Sequence, residues 1–262
     1  MGSIGYYLGI DSGSTASKCV IVDADGKMVG KGLHSSGAGT AGPAAAVEKA
    51  LSDAGIKRDD IARSCATGYG RNLIDWADGQ MSELSCHARG ARVLFPSAHT
   101  VVDIGGQDAK VLHIGDDGRL DNFVMNDKCA AGTGRFLDVM ASIFGCKVSQ
   151  LSDYDDQATK VSPVSSTCTV FAESEVISKL AAGESIPDVV AGIHTSVVER
   201  TYGLICRLGI NPDVAMTGGV ALNTALRRRL EKKVGQRILT SPDAQLNGAL
   251  GAALFAMEKD AD

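Results

Sequence analysis

Leu8-Gly9-Ile10-Asp11-Ser12-Gly13-Ser14-Thr15-Ala16-Ser17-Lys18 is the stretch that decides how this chain is read. An apolar run ends in Asp11-x-Gly13 and a string of small and hydroxyl residues turns. Lys18 then opens a second apolar run through Val22, which closes on Asp25-Gly26. The pattern returns 92 residues later as Asp103-x-Gly105, Lys110, an apolar run through Ile114 and Asp117-Gly118. That spacing exceeds the roughly 20–50 residues of a solenoid unit. It predicts two copies of one lobe, each offering a strand–Gly-turn–strand loop, so that two loops face one polyphosphate. Gly13 gives φ > 0 and close backbone approach. Backbone N–H groups of residues 12–17, with the Ser14 and Thr15 hydroxyls, form an anion nest, and Lys18 adds a point charge. Asp11 is repelled by phosphate itself, so its natural role is to hold Mg²⁺ through water. Asp103, with Gly105, Gly106 and Gln107, repeats the device. The Walker string Gly-x4-Gly-Lys-[Ser/Thr] is missing.

Periodicity predicts strands at Tyr6–Ile10, Lys18–Val22 and Met28–His34, then a helix at Pro43–Ala54 with Gly55 as its stop. The second copy gives strands at Thr100–Ile104, Lys110–Ile114 and Asn122–Met125. Helices follow at Thr133–Phe144, Val170–Ala182 and Asp188–Leu208. A short buried strand, Val214–Met216, runs into Gly218-Gly219, and helices Val220–Lys233 and Leu246–Lys259 flank the strand Arg237–Leu239. Strand meanders followed by helices, twice over, predict an α/β protein of two lobes with a nucleotide cleft between them. The expected lobes are residues 1–98, with the last helix (about 246–260) packed back on them, and residues 99–245.

Composition narrows the function. With 44% hydrophobic and 22% charged residues the chain is globular, and a net charge of −5 without a Lys/Arg block argues against nucleic-acid binding. No apolar run reaches the ~18 residues of a membrane span. No basic region precedes Tyr6, so no signal peptide and no membrane partner are expected. Seven dispersed cysteines without a Cys-x-x-Cys pair predict a reducing, cytoplasmic setting and exclude zinc-ribbon and ferredoxin-type spacing.

Here the chain resembles the acetate and sugar kinase–Hsp70–actin ATPase superfamily. The two Asp-x-Gly loops match its phosphate motifs. Met216-Thr217-Gly218-Gly219-Val220-Ala221 matches its adenosine motif, with Gly218 and Gly219 against the nucleoside. Ser241-Pro242-Asp243-Ala244-Gln245 begins the last helix, where Gln245 is placed to bond the base.

Two cysteines stand apart. Cys129 lies in Asn126-Asp127-Lys128-Cys129-Ala130-Ala131-Gly132-Thr133-Gly134-Arg135-Phe136 and Cys168 in Ser165-Ser166-Thr167-Cys168-Thr169-Val170-Phe171-Ala172-Glu173-Ser174-Glu175. Each precedes a helix, whose positive end favours the anionic sulfur of a metal ligand. Two thiolates do not close a tetrahedral iron–sulfur or zinc site. A two-fold homodimer supplies four, which would put the site on the dimer axis.

With these segments the chain closely resembles the ATP-dependent activators of 2-hydroxyacyl-CoA dehydratases, allied to the ATPase subunits of benzoyl-CoA reductase. The resemblance runs almost end to end. It includes Thr67-Gly68-Tyr69-Gly70-Arg71, a motif with no chemistry derivable from its residues beyond a partner surface or a lobe contact. It implies ATP/ADP and Mg²⁺ binding, with Gly132, Thr133 and Gly134 in the cofactor set. It further implies one [4Fe–4S] cluster held by Cys129 and Cys168 of two subunits. One-electron transfer to a dehydratase component would follow reduction by a ferredoxin or flavodoxin. Leu222 departs from the polar residue expected after Gly-Gly-Val-Ala. A helix end contributes only about 0.3–1 kcal/mol, which tunes a redox couple without powering a difficult reduction. A nucleotide-driven hinge motion of the lobes is therefore expected. Small-molecule kinase and non-redox nucleotide switch are the alternatives. The five histidines are unassigned, and Glu173 and Glu175 are read as a solvated helix face.

Overall fold

The computed structural model describes residues 5–165 and 168–259. The chain runs β1 Tyr6–Ser12, β2 Ser17–Val22, β3 Met28–His34, α1 Gly42–Ala54, β4 Ile61–Thr67, β5 Gly79–Gln80 and α2 Glu83–Leu94. It continues β6 Thr100–Ile104, β7 Ala109–Ile114, β8 Leu120–Asn126, α3 Gly134–Ile143, α4 Leu151–Asp156, α5 Thr169–Ala181 and α6 Ile186–Leu208. It closes with β9 Val214–Thr217, α7 Thr224–Val234, β10 Ile238–Leu239 and α8 Asn247–Glu258. One compact unit holds the described residues through Ser97, His113–Asp121 and those from Asp243 on; the other holds Ala98–Leu112 and Asn122–Pro242.

Each unit's sheet has five strands, and the two orders are the same: β3-β2-β1-β4-β5 and β8-β7-β6-β9-β10. The duplication seen in the loops therefore extends to whole sheets. In the first, β1 pairs antiparallel with β2 and parallel with β4, with Asp11 opposite Lys18 on one side and Thr67 on the other. In the second, β6 pairs parallel with β9 and sets Asp103 opposite Thr217. β4, β5, α2 and α4 add to the elements read from sequence.

The first sheet is covered on both faces because β2 alternates at period two. Cys19 and Ile21 pack with Ala46, Val47, Ala50 and Leu51 of α1. Val20 and Val22 pack with Ala249, Leu250, Ala253 and Leu254 of α8. Each large apolar side chain buried there stabilises by about 1.5–3 kcal/mol. Small residues set how close α8 comes: a Cβ at Gly9 would stand 2.0 Å from the Ala249 carbonyl oxygen, and one at Gly251 1.9 Å from that of Cys86. α8 thus fills the space between β1 and α2, backbone against backbone.

In the second unit Phe136, Leu137 and Met140 of α3 and Val189, Val190, Ile193 and Val197 of α6 are fully buried. α6 starts at Ser185, whose hydroxyl accepts from Asp188 N–H, as an N-cap should. The helix expected from Val220 begins later. Gly219–Leu222 form a 3₁₀ turn, and Asn223 caps α7 by accepting from Leu226 N–H at 2.9 Å.

Candidate functional site

The first loop is built on the β1–β2 hairpin. Lys18 Nζ donates to Asp11 Oδ2 at 3.1 Å and is Asp11's one hydrogen-bond partner among the described residues. Gly13, Ser14, Thr15 and Ala16 are half-buried, and Ser17 turns inward to donate to Ser36 O at 2.9 Å. Gly13 does not have the positive φ expected of it. It is needed for close approach instead, because a Cβ there would lie 2.8 Å from Ala16 O and 2.9 Å from Lys18 Nζ. The Ser12 hydroxyl is fully buried and has no hydrogen-bond partner among the described residues. An orphaned buried hydroxyl costs about 1–3 kcal/mol until something bonds it. With Lys18 and the half-buried turn, it fits a phosphate or the water of a bound cation.

Sequence reasoning found no role for Thr67-Gly68-Tyr69-Gly70-Arg71, and the sheet order supplies one. β4 occupies in the first sheet the place that β9 occupies in the second. Thr67-Gly68 is therefore the counterpart of Thr217-Gly218. Both glycines have positive φ, +87° and +82°. A Cβ at Gly68 would stand 2.4 Å from Asp11 Oδ1, and one at Gly218 2.2 Å from Ile104 O. Gly70 N–H donates to Ser12 O at 2.8 Å, and Arg71 Nη1 reaches Gly68 O at 3.1 Å. The motif clasps the first loop from the side. Its signal was its place after a strand parallel to β1.

The second loop differs in its charges. Lys110 Nζ lies 3.2 Å from Asp103 Oδ1 and 2.7 Å from Asp108 Oδ2, and Thr217 Oγ1 donates to Asp103 Oδ2 at 2.6 Å. Lys110 is only 2% exposed, whereas the Lys18 side chain is 16% exposed. Gly105 and Gly106 are half-buried and Gln107 is exposed.

The segment after Cys129 is tied to this loop. Gly134 N–H donates to Gly105 O at 2.9 Å, Arg135 N–H to Gly106 O at 2.7 Å, and Thr133 Oγ1 to Gly106 O at 3.1 Å. Gly132 and Thr133 are buried. The opening N–H groups of α3 are thus taken by the second loop. Cys129 lies in the turn before them, where its carbonyl accepts from Asn126 Nδ2 at 3.0 Å. Its half-buried side chain lines an open cavity of about 440 Å³ with Asn126, Gly132, Arg200 and Arg207. Cys168 is exposed and is the N-cap residue of α5. Glu175 is more than a solvated side chain: it accepts from Ser165 N–H at 3.1 Å. Cys19, Cys65 and Cys86 are buried, and burial pushes all three thiols above their usual range. They are packing groups, while Cys129 and Cys146 are half-buried and Cys168 and Cys206 are exposed.

Gly219 begins the 3₁₀ turn after β9, and Leu222 is exposed there. Gln245 is half-buried in a 3₁₀ turn just before α8. Behind Asn223 lies a buried polar network. Its side chain bonds His194 Nε2 at 3.1 Å, His194 Nδ1 meets Asp155 Oδ2 at 2.6 Å, and Arg229 grips Asp155 with two 2.8 Å bonds. Burial pushes the Asp155 carboxyl up, but His194 and Arg229 outweigh it and hold it at about 2.

Comparison with known proteins fits this geometry. The family model described as the BadF/BadG/BcrA/BcrD ATPase family matches residues 8–256. The (R)-2-hydroxyglutaryl-CoA dehydratase activating ATPase of Acidaminococcus fermentans is 57% identical over 257 residues, 98% of either chain. The crystal structure of the Acidaminococcus fermentans (R)-2-hydroxyglutaryl-CoA dehydratase component A matches with a TM-score of 0.95 at 56% identity, over 98% of this chain and 100% of that one. The activator of the 2-hydroxyisocaproyl-CoA dehydratase from Clostridium difficile, solved with bound ADPNP, matches with a TM-score of 0.94 at 50% identity, over 97% of this chain and 95% of that one.

Proposed function

Because the chain belongs to the BadF/BadG/BcrA/BcrD ATPase family, we propose that it is the ATP-driven, one-electron activator of a 2-hydroxyacyl-CoA dehydratase. The chain is an ATPase, and its hydrolysis is coupled to activation of that partner. Two copies share one [4Fe–4S] cluster, to which each gives Cys129 and Cys168. A ferredoxin or flavodoxin reduces it in the cytoplasm. No helix among the described residues is long and apolar enough to cross a membrane.

The observation that carries this reading is the set of hydrogen bonds joining the Cys129 turn to Gly105 and Gly106. Any change in that loop on nucleotide exchange moves the turn with it. Cys168 fits the other half of the assignment. Beside it α5 exposes Val170 (66%) and Phe171 (68%), an apolar face suited to a second subunit. When bound, the cluster supplies a one-electron carrier.

Residues 12–17, Lys18 and Gly105–Gln107 bind the phosphates. Gly132–Gly134 brace them, Gly218-Gly219 lie against the nucleoside, and Gln245 bonds the base. Asp11 and Asp103 hold the Mg²⁺ waters, so that the phosphoryl group passes to water. Anaerobic iron and sulfide analysis tests the assignment. About four irons per dimer are expected, with loss of iron and of visible absorbance in Cys129→Ser and Cys168→Ser. Full iron content in either variant contradicts it.

A further inference from the structure

α2 places Glu83 and His87 four residues apart on one helix face. His87 is 6% exposed and lies between Glu83, 3.7 Å from its Nε2, and Asn247 at the head of α8. Asn247 Nδ2 donates to His87 O at 3.0 Å and faces His87 Nδ1 at 3.2 Å. An amide N–H₂ only donates, so this contact fits the tautomer with Nδ1 as acceptor and the proton on Nε2. Nε2 looks toward the first loop across Gly248. A Cβ at Gly248 would stand 3.2 Å from His87 Nε2 and 3.3 Å from Asp11 Oδ2. The missing side chain keeps open the space between imidazole and carboxylate. Helix packing builds this arrangement: a Cβ at Gly90 would lie 2.1 Å from Asn247 O, so only glycine lets α2 and α8 approach closely enough.

We propose that His87 is a positioning residue for ATP hydrolysis. Its Nε2–H, with the ring held by Asn247, donates to one water that bonds the Oδ2 edge of Asp11, and so orients that carboxylate toward the hydrated cation. The proposal rests on the reading of Asp11 as the carboxylate of the ATP site. It gives the buried imidazole, and the glycine in front of it, a role that packing does not explain.

Steady-state ATP turnover of the full chain under anaerobic conditions, with melting temperature, tests it on three variants. His87→Ala should lower kcat about 10–100-fold with KM for ATP within about twofold, the usual scale for groups that orient a metal-site ligand. His87→Gln, which keeps an N–H donor on that side, should recover most of the loss. Gly248→Ala removes no polar group and adds a better helix former. It should nonetheless lower kcat by about tenfold at an unchanged or higher melting temperature, because its methyl fills the water's space. Wild-type kcat in Gly248→Ala, or a loss in His87→Ala that Gln does not repair, overturns the proposal. A wild-type chain without ATP turnover overturns the ATPase reading and the proposal together.

Discussion

Asp11 and Asp103 hold the same place in two copies of one sheet, and their surroundings differ. Each lies opposite a threonine of the parallel neighbour strand and seven residues before a lysine. In the second copy Thr217 bonds Asp103 and Lys110 is enclosed by Asp103 and Asp108, so the carboxylate is neutralised from inside the protein. In the first copy Thr67 turns away to donate to Met81 O at 3.1 Å, and among the described residues Lys18 is left as the one side-chain hydrogen-bond partner of Asp11. The first loop holds its carboxylate with one lysine, and the second locks its own into a buried network. Duplication gave two equal hairpins, and one hydroxyl and one extra aspartate separated them.

The sharpest way to break this comparison is to remove each lysine. Lys110→Met leaves two buried carboxylates facing each other and should cost about 3–5 kcal/mol of stability. Lys18→Met should cost less than that, because it leaves one buried carboxylate rather than two. It should instead raise KM for ATP by about tenfold or more, the value of a charged hydrogen bond. Equal effects in denaturant melts would erase the distinction. A second fixed neutralisation in the same unit, at Asp155, should appear in the acid limb. Its carboxyl titrates lower in the folded chain than in the unfolded one. The stability it contributes is therefore present above about pH 4 and disappears as pH falls toward 2, about 2–3 kcal/mol in all. Asp155→Asn should flatten that limb of a melting-temperature profile.

The paired turns come next. Gly218→Ala should destabilise by about 1–3 kcal/mol through positive φ and contact with Ile104. Gly68→Ala suffers similar strain but pushes on Asp11, so kcat should fall by more than stability accounts for. A kcat unchanged in Gly68→Ala would detach the motif from the ATP site. The smallest effect is expected of Thr133→Val, about 1 kcal/mol for the bonds to Gly106 and Ala130. The visible spectrum of the proposed cluster should then lose part of its response to nucleotide.

The sequence was legible where local chemistry sets structure. Both hairpins follow from alternating apolar runs closed by Asp-Gly turns, and Gly26 and Gly118 take the same φ of +76°. Cys168 was legible too, as the residue just before a helix. What was hidden depends on distant partners. β4 is a strand because β1 offers it an edge, and α2 carries Gly90, Cys86 and His87 on the face that α8 covers. With those elements unread, the histidine behind Asp11 had no address and the Gly68–Arg71 motif no counterpart. The link from Gly105 and Gly106 to Thr133, Gly134 and Arg135 spans almost thirty residues and leaves no periodic trace.

That link is the center of the account, and hydrogen exchange at the Gly134 and Arg135 amides reads it directly. Both donate to the second loop. A non-hydrolysable ATP analogue with Mg²⁺ should hold that loop and slow exchange at these two amides by about tenfold or more. Exchange that is the same with and without the nucleotide, in a chain shown to bind it, would contradict the claim that the nucleotide acts on the Cys129 turn.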